Sequence, residues 1–199
     1  MNINAQMVKE LRKKTSAGMM DCKKALKATE GDLEKAIEYL RKKGMDAASS
    51  KFNRQALSGI VGSYIHLYGK IGVLVEINCE TDFVANTDEF KAFVKDTAMQ
   101  IAASNPKFIS QKDVPDSIIE KEKEIFSAQV EKSGKPVPII KKIVEGKIKK
   151  YFQTNCLMEQ EFIKDNNKTI NQLLLELIAK LGENIVIKRF ARYQLGEEI

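Results

Sequence analysis

The spacing of apolar residues changes once along this chain, and that change limits the folds open to it. Up to about residue 45 the apolar positions recur at i, i+3, i+4 and i+7, the repeat of one helix face. Val8 and Leu11 begin a first stripe, which breaks at Thr15-Ser16-Ala17-Gly18. Cys22, Ala25, Leu26 and Thr29 form a second stripe, stopped by Gly31, and Asp32 is placed to cap the next helix. Leu33, Ala36, Ile37 and Leu40 form a third, with Gly44 expected at a left-handed C-cap. After the polar stretch Ala48 to Gln55 the period falls to two. Ile60–His66 and Ile71–Cys79, rich in β-branched residues, flank Leu67-Tyr68-Gly69-Lys70 and predict an antiparallel hairpin. The run Ile71-Gly72-Val73-Leu74-Val75 lacks polar alternation, so its strand is expected to be central and covered on both faces.

The remainder alternates helices with short strands. Asn86 and Glu89 have capping-box spacing for a helix with Phe90, Phe93, Val94, Thr97, Ala98 and Ile101 inward, ending near Asn105-Pro106. A charged helix is expected over 116–132. Another follows Pro136 and Pro138, with Ile140, Ile143, Val144, Ile148, Tyr151 and Phe152 on one face. Cys156 to Ile163 reads as a short extended segment. Thr169 and Gln172 open a helix that buries Ile170, Leu173, Leu174, Leu177, Ile178 and Leu181 and stops at Gly182. Ile185 to Tyr193 reads as the last strand. The expected fold class is α+β: a three-helix bundle over 1–50, a linker over 51–57, and over 58–199 an α+β core with a three-stranded antiparallel sheet and flanking helices.

Charge narrows the function. Residues 1–57 hold thirteen Lys and Arg against seven Asp and Glu, while residues 58–199 hold twenty of each, so the whole net charge of +6 sits in the first quarter. That end is suited to an acidic partner. The start lacks a signal-peptide pattern and no apolar run reaches the ~20 residues of a bilayer crossing, so a cytoplasmic location and no membrane contact are expected. Cys22, Cys79 and Cys156 are widely spaced and His66 is the single histidine, which argues against a zinc site or disulfide framework; the cysteines read as small buried apolar residues, with a dimer-linking role as the alternative for Cys156. Phosphate-loop, dinucleotide and GxSxG motifs are absent, and no carboxylate pair stands out. Neither a catalytic residue nor a cofactor is expected.

The segment Asn78-Cys79-Glu80-Thr81-Asp82-Phe83-Val84-Ala85-Asn86 sets an acid beside a large aromatic between a buried strand and a capped helix. Taken alone, it is most simply explained by Phe83 folding back into the core and Asp82 capping the turn. Together with Arg12 to Leu26 (RKKTSAGMMDCKKAL) and Gly62-Ser63-Tyr64-Ile65-His66, however, it closely resembles the bacterial elongation factor Ts family. Ser133-Gly134-Lys135-Pro136, Val144-Glu145-Gly146, Glu159 to Phe162 and Glu183 to Ile187 agree in order along nearly the whole chain.

The resemblance implies a guanine-nucleotide exchange factor for elongation factor Tu, with no nucleotide contact of its own. It implies a bundle similar to ubiquitin-associated (UBA-like) domains that docks on the GTPase, and a loop whose aromatic enters near the partner's magnesium and phosphates. On this chain the implied partner-binding residues are Thr81, Asp82, Phe83 and Val84, with Met19 and Met20 as an apolar docking pair and His66 near the partner. Each has a plainer alternative: Met19 or Met20 as bundle core, His66 as an ordinary strand residue, the lysines as a solvated face. Longer family members carry two half-cores. This chain joins the Gly-Ser-Tyr-Ile-His signature of one to the Thr-Asp-Phe-Val loop of the other, which implies the short class and a homodimer, with the last strand and its preceding helix as candidates for the pairing surface. A basic RNA- or ribosome-binding protein is the main rival, weakened by the lack of an aromatic-basic strand signature. A peptide adaptor is a third reading, and it leaves the loop unexplained.

Overall fold

A computed structural model of the chain describes residues 3–15, 17–131 and 136–197, apart from the side chains of 45–49 and 131. Ser16 and residues 132–135, which include most of the Ser-Gly-Lys-Pro stretch, lie outside the described residues. The element order is α1 (Ala5–Thr15), α2 (Met19–Ala28), α3 (Leu33–Ser49), β1 (Ser58–His66), β2 (Ile71–Cys79), α4 (Asp82–Ala85), α5 (Asp88–Ser104), α6 (Asp116–Glu131), α7 (Val137–Asn155), β3 (Glu161–Phe162), β4 (Asp165–Thr169), α8 (Ile170–Leu181) and β5 (Ile185–Gln194). This is the expected α+β class, with a three-stranded antiparallel sheet in the order β1-β2-β5 and a separate β3-β4 hairpin. Its residues group into two compact units, one of Met1–Gly59, Asn78–Lys91 and Leu173–Val186, the other of Ile60–Ile77, Ala92–Gln172 and Ile187–Ile199.

In the first unit, Val8, Leu11, Cys22, Ala25, Leu26 and Ala36 form the bundle core, with Leu33, Ile37 and Leu40 packed against it. The periodicity is thus obeyed by all three helices. Gly31 takes a φ of 87° and donates its N–H to the Leu26 carbonyl at 2.8 Å, closing α2, and Asp32 Oδ1 accepts the Lys35 N–H at 3.0 Å to cap α3. Gly44 departs from its expected place. It lies inside α3, which runs on to Ser49, and a β-carbon there would stand 3.2 Å from the Ala179 β-carbon of α8. The glycine allows two helices to approach closely.

In the second unit, α5 buries Phe93, Val94, Thr97, Ala98 and Ile101 as its pattern predicts, each at 8% exposure or less. Its N-cap is Thr87 rather than Asn86: Thr87 Oγ1 accepts the Phe90 N–H at 3.3 Å, and Asn86 instead turns its amide onto the Asp82 carbonyl. Strand β2 is central as expected, but only one face is covered. Val73, Val75, Ile77 and Cys79 point inward, while Leu74 is 51% exposed and Val61 and Ile65 of β1 are each 65% exposed. The β-branched run marks a central strand; it carries no information on what lies over its second face.

The segment after Cys156 is only partly extended. A 3₁₀ turn, Leu157–Glu159, precedes β3, and β4 pairs with β3 through polar residues that no alternation reveals. Buried Gln100 of α5 holds this hairpin: its Nε2 donates to the Glu161 carbonyl at 3.1 Å and its Oε1 accepts the Ile163 N–H at 2.9 Å. The capping box opening α8 is formed as predicted, with Gln172 N–H to Thr169 Oγ1 at 3.2 Å and Thr169 N–H to Gln172 Oε1 at 3.0 Å.

Candidate functional site

Strand β2 enters the site through its buried face and ends at Cys79, which is fully buried. Burial, with the Glu183 carboxylate second, pushes the Cys79 thiol above its ordinary range, and Cys79 Sγ donates to the Thr81 carbonyl at 3.1 Å. The chain then turns sharply. Thr81 is the N-cap of α4, extended at φ −130° and ψ 157°, and its hydroxyl oxygen accepts the Val84 N–H at 3.4 Å. A few backbone hydrogen bonds follow, Ala85 N–H to Thr81 O at 3.2 Å, Asn86 N–H to Asp82 O at 3.0 Å and, in 3₁₀ fashion, Thr87 N–H to Val84 O at 3.0 Å. So short a helix has little stability of its own.

What fixes α4 is its surroundings. Ala85 and Phe90, at 5% and 0% exposure, anchor its far end, and Thr87 Oγ1 donates to the Val84 carbonyl at 2.7 Å. At the near end, Glu183 reaches back from the turn after α8. Its Oε2 accepts the Glu80 and Thr81 N–H groups at 3.1 and 3.0 Å, and its Oε1 accepts the Thr81 hydroxyl at 2.6 Å. Reciprocally, Glu80 Oε1 accepts the Asn184 N–H at 2.6 Å, while Arg54 stands 3.6 Å away. On this frame Phe83 is 83% exposed and Asp82 beside it is exposed. The plain reading of Phe83 as a core residue is therefore wrong: the interior beneath α4 is filled by Ala85 and Phe90.

Met19 and Met20 begin α2 and are 50% and 65% exposed, so neither serves as bundle core. Met19 also lines a groove of about 440 Å³ with Lys9, Arg12 and Lys13, three of the basic residues of the first quarter. These methionines and the α4 loop belong to the first unit; His66 belongs to the second. His66 is exposed at the end of β1, its Nδ1 hydrogen-bonded to the Tyr64 hydroxyl at 3.0 Å with the rings stacked at 5.7 Å. Among the described residues no group of three or more His, Cys, Asp or Glu side chains could hold a metal ion, and no helix is long and apolar enough to cross a membrane.

Comparison with known proteins gives whole-chain matches. The family described as Elongation factor TS matches residues 2–197. Elongation factor Ts of Thermoanaerobacter sp. (strain X514) is 61% identical over 197 residues, covering 99% of this chain and 97% of the relative. The protein of the same name from Geobacter sulfurreducens is 58% identical over 197 residues, covering 99% and 91%, and that of Syntrophus aciditrophicus 55% identical over 199 residues, covering 100% and 99%. Matches of this extent and identity make the chain a translation elongation factor. The chain belongs to the elongation factor Ts family.

Proposed function

We propose that this chain promotes guanine-nucleotide release from elongation factor Tu by displacing the partner's magnesium and phosphate site with the loop Thr81 to Val84, with Phe83 as the lever and no nucleotide contact of its own. The observation that carries the reading is an aromatic ring 83% exposed on the first turn of a four-residue helix that is tied down at both ends. An exposed ring held in one orientation is preorganised for a partner, which lowers the ordering cost of binding. Asp82 beside it supplies a charge, and Thr81 and Val84 shape the turn. Met19 and Met20 form the adaptable apolar docking surface. His66 contributes from β1.

The thermodynamics is linkage. A factor that binds the nucleotide-free GTPase more tightly than the GDP-bound form weakens GDP by the same factor. Each ~1.4 kcal/mol of coupling is tenfold in nucleotide affinity. Faster release additionally requires a ternary complex as an intermediate, and displacing the partner's magnesium would remove the cation that neutralises the phosphates. The test is stopped-flow release of labelled GDP from elongation factor Tu. With Phe83→Ala the rate at saturating factor falls more than docking weakens; an unchanged saturating rate rejects the lever.

We further propose that two copies pair, in the cytoplasm, to make the working factor. Leu74, Val61 and Ile65, at 51%, 65% and 65% exposure, support pairing through the open face of the sheet. Helix α8, named above as a candidate, is unsuited: Leu174, Leu175, Leu177 and Ile178 are already buried within the chain.

A further inference from the structure

We infer that Glu183 is the positioning residue of the Phe83 lever, acting through the backbone of residues 80 and 81 without touching the partner. The inference rests on the exchange reading above and adds a residue from a distant part of the chain. Three observations carry it. First, Glu183 satisfies three donors of one turn, Glu80 N–H, Thr81 N–H and Thr81 Oγ1–H, at 3.1, 3.0 and 2.6 Å. These are charge-assisted bonds, stronger than neutral ones. Second, the same Thr81 hydroxyl oxygen accepts the Val84 N–H, so the carboxylate is linked through one side chain to the turn that bears Phe83. Third, Glu183 is itself held. Gly182, at φ 82°, ends α8 and reverses the chain, α8 is fixed by buried Leu177 and Ile178, and the next residue's N–H is taken by Glu80.

The two turns therefore exchange carboxylates, each capping backbone donors of the other. Helix α4 is too short to hold a direction unaided. Without Glu183 its first turn loses its fixed partner and Phe83 its aim, while the apolar anchors Ala85 and Phe90 keep the helix in place. A lever that binds but points wrongly lowers the rate at saturation rather than the affinity.

The experiment compares Glu183→Ala, Glu183→Gln, Phe83→Ala and the Phe83→Ala/Glu183→Ala double variant of the full chain. GDP release from elongation factor Tu and amide hydrogen exchange of the free protein are both measured. Glu183→Ala should speed exchange of the Glu80 and Thr81 amides and lower the saturating release rate about tenfold, since small misplacements of a working group are costly. The half-saturating concentration should change less than about threefold. Glu183→Gln retains an oxygen for the amides and should recover most of both. In the Phe83→Ala background, Glu183→Ala should slow release no further, because it acts only through the ring. A slow Phe83→Ala beside a wild-type rate for Glu183→Ala overturns the assignment of Glu183, as does full additivity. A wild-type rate for Phe83→Ala removes the lever, and this inference with it.

Discussion

Replacing Gly62 by alanine would set a methyl group 2.3 Å from Val94 Cγ1, inside the packing of β1 on α5. Val94 is 4% exposed, and as a β-branched helix residue it is confined largely to one χ1 well, so it cannot swing away cheaply. Overpacking of this kind costs ~1–3 kcal/mol, and the overlap is severe enough to place the cost near the top of that range. Against it stands the ~0.5–1 kcal/mol gained when alanine replaces glycine in a strand. The net expectation is a loss of about 2 kcal/mol. Val94→Ala alone removes two methyl groups at ~0.8 kcal/mol each plus a cavity term, again about 2 kcal/mol. In the double variant the new methyl fills part of the space vacated, so the losses should not add: a coupling of about 2 kcal/mol or more in favour of the pair is expected. Urea unfolding of the four proteins, with m-values checked for constancy, measures it. Additive losses, or Gly62→Ala within about 0.5 kcal/mol of the parent, would refute the close approach.

Three further outcomes follow from other parts of the chain. Gln100→Leu strips partners from the Glu161 carbonyl and Ile163 N–H, and should cost about 2–4 kcal/mol in urea unfolding, with the β3-β4 amides first to lose exchange protection. Burial pushes the Cys156 thiol up to about 11, so the folded state holds that proton after the unfolded chain has released it; stability is fully present below the ordinary thiol range and falls as pH rises from about 9 to 11, and Cys156→Ala should flatten the drop across that same window in urea unfolding. Leu74→Glu places a charge on the open sheet face, where each buried leucine is worth about 1.5–3 kcal/mol to a pairing interface, and should shift sedimentation equilibrium towards monomer by tenfold or more; a dimer unchanged by it rejects that face.

Apart from the cap of α5, which falls on Thr87 one residue after the expected Asn86, local signals were legible where the residues that decide them are neighbours in sequence. Gly31 with Asp32, the Thr169-Gln172 box and the apolar face of α5 each depend on partners within a few positions, and each forms as its pattern requires. The other misreadings share the opposite property. Gly44 looks like a helix stop until Ala179, far along the chain, shows it to be a packing glycine. Strand β4 is invisible in its own polar sequence because Gln100, placed 63 residues before Ile163, helps to hold the hairpin. Leu74 follows the rule for a covered strand in a chain whose own elements leave that face open.

The same division runs through the candidate loop. An acid and an aromatic at a strand-to-helix turn could be noticed in residues 78–86, but whether Phe83 turned in or out depended on which side chains filled the space beneath it, and Ala85 with Phe90 does so. Stiffness was not legible at all. It comes from a carboxylate 102 residues beyond Thr81, within a stretch whose only visible feature was its likeness to the family. A sequence pattern can locate an exposed aromatic, but the force that aims it lies in a second turn brought alongside by folding. That is why Glu183, rather than a residue of the loop itself, is the position at which release rate and docking should come apart.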